Sequence, residues 1–167
     1  MEKNKSKVNL IFPHQLFETS RLIDNGFDIY LVEEYLFFRH YKFHKQKIAF
    51  HRASMKAYQA YLESKSRTVF YIDAFEDNAS ITSLIEALIK KGFSEILFYD
   101  PVDNWLLKRI HVFADRMHLN KLETPYFINS NEDLGSFFRS DKKSFFQTTF
   151  YKQQRVKHNV LMEKDGS

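Results

Sequence analysis

Four short runs rich in Val, Ile, Tyr and Phe, at residues 8–12, 29–32, 69–72 and 96–99, alternate with longer segments of helical spacing. This rhythm constrains the chain more than any other feature. A continuous apolar run of four or five residues suits a strand buried on both faces, and burial on both faces requires a helical layer on each side of the sheet. The segments near residues 40–64, 80–91 and 104–117 read as those helices, and Gly92, directly after Lys90 and Lys91, reads as a helix C-cap with cations in the last turn. Strand–helix alternation implies right-handed crossovers and a parallel sheet. The expected fold is therefore α/β, a Rossmann-like three-layer domain with a five-stranded parallel sheet flanked by helices, its fifth strand near residues 121–124. Residues 131–137 read as a short helix and residues 145–163 as a longer terminal one.

In an open parallel sheet, ligands bind at the carboxyl ends of the strands, where adjacent loops diverge. The residues expected there are His14, Gln15 and Leu16 after the first strand, Glu33, Glu34 and Phe37 after the second, Asp73 and Phe75 after the third, and Asp100 and Asp103 after the fourth. His44 is expected to pack on the sheet or to donate into the same crevice. In the helix that follows, Ile48, Met55, Tyr58 and Leu62 share one buried stripe, and Lys45, Arg52 and Lys56 form a second, solvated basic stripe. Near the end, Lys152, Arg155 and Lys157 alternate with Phe145, Phe146, Phe150 and Tyr151. Basic residues mixed with aromatics contact phosphates and stack on bases, or else cover a neighbouring domain. The interdomain reading is preferred here, with Phe146, Phe150 and Val160 pinning the helix down.

Several chemistries are excluded. The only four glycines are Gly26, Gly92, Gly135 and Gly166, so neither a GxGxxG fingerprint nor a phosphate-cradling P-loop can be written. Cysteine is absent, which rules out disulfides and Cys-held zinc or iron–sulfur clusters within these residues and fits a reducing cytoplasm. His40 and His44 stand at a metal-ligand spacing, with His51 beyond, but no HExxH pattern accompanies them, and no metal is assigned. Serines occur without a GxSxG elbow, and no catalytic residue is assigned. The first apolar run is too short to span a membrane, so a soluble protein is expected. A net charge of +4 permits contact with nucleic acid without demanding it.

The segment LVEEYLFFRHYKFHKQKIAFHRASMKAY (residues 31–58) resembles the amino-terminal domain of the deoxyribodipyrimidine photolyase-related proteins, the photolyase and cryptochrome branch that includes bacterial enzymes with an iron–sulfur cluster. FPHQL (residues 12–16), YDPVDNW (residues 99–105) and FFQTTFYKQQRVKHNVLM (residues 145–162) agree in order and spacing. The resemblance implies an antenna domain over residues 1–140. It also implies a terminal helix and the start of a linker over residues 141–167, leading to a C-terminal FAD-binding domain that is absent here. The flavin, any iron–sulfur cluster and the damaged DNA would belong to that absent domain, and this part alone would not repair DNA. The strand-end loops would contact an antenna chromophore, a lumazine, deazaflavin or folate. Pro13 and His14 stand where some lumazine-binding relatives carry a Gly-Asp pair, and Phe37 stands near a carboxylate of theirs, which counts against lumazine in particular. The alternative is a stand-alone Rossmann-like module that binds a nucleotide-like metabolite without photochemistry.

Overall fold

Each apolar run forms a strand because helices on the two sides of the sheet supply the surfaces that its alternate residues need. In the computed structural model, which describes residues 6–162, the strands are β1 (Lys7–Ile11), β2 (Asp28–Val32), β3 (Val69–Ile72), β4 (Glu95–Tyr99) and β5 (His118–Leu122). They form one sheet in the order β3-β2-β1-β4-β5, and every neighbouring pair is parallel. The helices of this part are α1 (Arg21–Asp24), α2 (Tyr35–Phe38), α3 (Lys45–Ser64), α4 (Ile81–Lys90) and α5 (Asn104–His111). On one face Leu10, Tyr30, Val32 and Phe98 bury against Leu84, Ile85 and Leu88 of α4 and Leu106 and Ile110 of α5. On the other face Ile29, Leu31 and Leu97 meet Leu22 and Ile23 of α1 and Met55, Tyr58 and Leu62 of α3. The expected three-layer α/β arrangement is therefore present. Ile48 of the expected stripe is only partly buried against the same cluster.

Several boundaries differ from the sequence reading. β5 begins at His118, three residues before the expected start, because its pairing with β4 and not an apolar run defines it. The helix expected from residue 40 begins at Lys45, since residues 35–38 form the separate turn α2 and His44 caps α3. α5 ends at His111, and turns follow it up to β5.

The described residues gather in two compact units, one up to Thr124 and one from Pro125 onward; the sequence reading drew its boundary at residue 140. The second unit contains α6 (Asn131–Phe137) and α7 (Gln147–His158). Phe137, Phe138 and Phe150 form a ring cluster there with centroids 4.9–5.1 Å apart. Asp133 closes a capping box with Ser130 and pairs with Lys157 at 2.6 Å, and these contacts pull its carboxyl down to about 2. Residues 163–167, expected to end the terminal helix and begin a linker, and residues 1–5 of the polar start lie outside the described residues. No helix among the described residues is long and apolar enough to cross a membrane.

The helix ends carry a testable contrast. After α4, Gly92 takes φ 87° and donates to Ile89 O while Phe93 donates to Leu88 O, the paired bonds of a Schellman cap. After α3 the same two bonds run from Ser66 to Glu63 O and from Arg67 to Leu62 O, but Ser66 holds φ 57° with a side chain attached. A residue with a Cβ is strained in that region by about 1 kcal/mol relative to glycine. Ser66→Gly is expected to raise stability by about that amount in urea unfolding, whereas Gly92→Ser is expected to lower it.

Candidate functional site

In the order β3-β2-β1-β4-β5 the connections leave β1 in opposite directions, so the topological switch point lies between β1 and β4. The expected candidates in the loops after β1, β2 and β4 follow the carboxyl ends of those strands, yet most of their polar atoms hold the fold. Gln15 is buried and donates through Nε2 to Tyr99 O and Asp100 O, both at 3.1 Å. His14 donates through Nε2 to Pro101 O at 3.0 Å, since a carbonyl can only accept. These bonds stitch the loop after β1 to the loop after β4 across the switch point. The Asp100 carboxylate accepts from Val102 N–H at 2.9 Å and pairs with Lys121 at 2.6 Å. Asp103 caps α5 by accepting from Leu106 N–H at 2.8 Å. Val102, between them, is held at φ 54°.

The two glutamates after β2 are fully buried, with 0% exposure each. Glu33 accepts from Ala74 N–H at 2.9 Å, from Tyr71 Oη, and from both Nε and Nη2 of Arg52, whose guanidinium also reaches Asp73 at 3.0 Å. Burial first, and the neighbouring Glu33 carboxylate second, push the Tyr71 hydroxyl well above its ordinary value. Glu34 accepts from Leu36 N–H at 3.4 Å and from Ile81 N–H at 2.7 Å, so one carboxylate caps both α2 and α4. Arg109 lies 3.8 Å from it. Desolvation outweighs these partners and raises the Glu34 carboxyl to about 7.

The remaining candidates are at the rim or outside it. Phe37 and the His14 ring lie 4.9 Å apart with planes 57° apart, and burial lowers the His14 imidazole below its ordinary value. Leu16 is partly buried against the core shared with α1 and α3. His44 is exposed, and its Nδ1 accepts from Gln46 N–H at 3.3 Å at the start of α3. Lys45 is exposed, but Arg52 of the same expected basic stripe is committed to Glu33, and Lys56 lies 3.2 Å from the Tyr71 ring centre. In the second unit Lys152 is exposed, Arg155 donates to Val160 O and Leu161 O, and Lys157 holds Asp133. Phe150 joins the ring cluster while Phe146 and Val160 are exposed. Among the described residues no group of three or more His, Asp or Glu side chains is gathered as metal ligands.

Sequence reading did not single out Tyr71 or Arg109, whose partners lie tens of residues away. It also gave Trp105 no role beyond its place in YDPVDNW. The available signal for Tyr71 was its place two residues before Asp73 at the end of β3.

Two outcomes follow from the buried glutamates. Arg52→Met leaves Glu33 as an uncompensated buried charge and is expected to cost roughly 3 kcal/mol in chemical unfolding, the lower end for a buried pair because Arg52 is itself 35% exposed. For Glu34, the folded-state value of about 7 lies above its ordinary 4.5, so the folded protein holds a proton that the unfolded chain releases. Its contribution to stability is fully present below 4.5 and is lost as pH rises to about 7. Wild type is expected to lose stability relative to Glu34→Gln across that window and no further above it, a difference that cancels the titration of His14 and His51.

With this geometry in view, comparison with known proteins is informative. The sequence profile of the deoxyribodipyrimidine photo-lyase-related proteins matches residues 9–167. An uncharacterised protein of Acanthamoeba polyphaga mimivirus is 34% identical over 170 residues, a match that covers 93% of this chain and 85% of that protein. The profile match takes in β2 to β5, every helix and all the loops at the strand ends. The chain belongs to the deoxyribodipyrimidine photo-lyase-related protein family.

Proposed function

We propose that this chain is the N-terminal, antenna-type domain of a photolyase- or cryptochrome-related flavoprotein that acts in light-dependent DNA repair or light sensing. The family match across residues 9–167 carries the reading. On this reading FAD and any iron–sulfur cluster belong to a C-terminal domain beyond these residues, which hold neither a cysteine nor a glycine-rich dinucleotide loop. That domain is also the partner through which damaged DNA is met.

Some of the groups after β1 and β2 would suit a planar heteroaromatic antenna. Gln15 Oε1 is buried and meets no donor among the described residues, while the tilted rings of His14 and Phe37 stand after β1 and β2. An N–H of the ligand would satisfy that oxygen, and its ring would lie against those two. Glu33, Glu34 and Asp103 do not suit the role, because backbone amides and Arg52 already use their oxygens. When bound, such a group absorbs light and passes the excitation to a flavin.

The second reading is a stand-alone module for a nucleotide-like metabolite without photochemistry. One observation favours it: the match to the mimivirus protein covers 85% of that protein's length, which leaves little of it for another domain.

Titrating the purified chain with a lumazine, a deazaflavin and a folate, by ligand fluorescence, tests the proposal. One of the three is expected to bind, with His14→Ala or Phe37→Ala weakening it by about tenfold, the scale of one lost aromatic contact. No FAD is expected in the purified chain. Stoichiometric flavin absorption, or chromophore binding indifferent to both substitutions, would overturn the reading; binding of nucleotides alone would favour the second.

A further inference from the structure

The charge of this chain is concentrated in one segment. Residues 35–62 hold six Lys or Arg and no Asp or Glu, more positive charge than the net +4 of the whole chain, so the rest is slightly acidic. Arg52 and Lys56 of the six are turned onto Glu33 and the Tyr71 ring. Lys42, Lys45 and Lys47 stay exposed, in the loop between α2 and α3 and in the first turn of α3. The same loop exposes Tyr41, at 60%, and the start of α5 exposes Trp105, at 55%.

His40 joins these two rings. Its centroid lies 4.4 Å from that of Tyr41 and 5.7 Å from that of Trp105, edge-on to both. Two exposed rings from separate elements thus meet one histidine, and Lys42 directly follows one of them in the sequence. Of the two acidic side chains before α5, Asp100 is paired with Lys121 and Asp103 accepts the capping bond from Leu106 N–H.

We propose that this basic and aromatic surface binds single-stranded nucleic acid, with Lys42, Lys45 and Lys47 on phosphates and Tyr41 and Trp105 stacked on bases. Base faces are available for stacking in a single strand and hidden in a duplex, and every base offers one, so the surface is tolerant of sequence. The inference needs neither a chromophore nor a flavin and stands apart from the function proposed above.

Trp105 is the only tryptophan, so its fluorescence reports contact at the surface itself. The test titrates the full chain with oligothymidylate, oligouridylate and a duplex of equal length, at several salt concentrations. Quenching by either single strand, or by both, supports the proposal and identifies the sugar that is accepted. Three phosphate contacts predict a slope of log K on log salt of about −2. Tyr41→Ala is expected to weaken binding about tenfold, and Lys42→Ala with Lys45→Ala to flatten the salt slope. These side chains are exposed, so folding is not at stake in the variants. Absence of quenching by both single strands, equal quenching by the duplex, or an affinity unchanged by Tyr41→Ala combined with the two lysine substitutions would overturn it.

Discussion

Two buried carboxylates in succession, Glu33 and Glu34 at the end of β2, govern how the layers meet. Glu33 reaches β3 and α3 through Tyr71, Ala74 and Arg52, while Glu34 reaches α2 and α4 through their N-terminal amides. One dipeptide therefore anchors both helical layers to the same strand. Removing a carboxylate from water costs several kcal/mol, so such a pair persists only where its oxygens are nearly saturated with donors. The two solve the problem differently. Glu33 has a bidentate guanidinium beside it, whereas Glu34 has two amides and a more distant Arg109, and its carboxyl rises to about 7.

This arrangement redistributes what the mouth of the sheet can offer. Polar groups expected to meet a ligand instead cap helices and join loops, and the Gln15 and His14 bonds to residues 99–101 close the switch point from below. The aromatic side chains near these loops form two groups. Phe37 and His14 make up one, and Tyr41, His40 and Trp105 the other.

The central strands were legible because burial on both faces leaves a nearly continuous apolar run, as in β2, β4 and, apart from Asn9, β1. β5 was displaced in the sequence reading because HLNKL is a half-exposed edge whose position is set by pairing with β4, and pairing leaves no local pattern. α2 escaped notice since a single turn, YLFF, is too short to show a helical period. At the site, periodicity placed Arg52 on a basic stripe with Lys45, which is correct for the helix surface and silent about a partner 19 residues earlier. The strand-end rule named loops at the carboxyl ends of the strands but could not tell a carboxylate facing a ligand from one facing a backbone amide.

The position of β1 has a consequence for synthesis. It lies in the middle of the sheet, bonded on one side to β2 and on the other to β4, whose residues come nearly 90 positions later. As the chain leaves the ribosome, β1, β2 and β3 can associate early, yet one edge of β1 keeps its amides and carbonyls unpaired until Glu95–Tyr99 emerges. An open, largely apolar edge is a template for pairing with a neighbouring nascent chain. The interval between these two strands is therefore when the protein is most exposed to aggregation, and chaperone binding to the half-made sheet would protect it then.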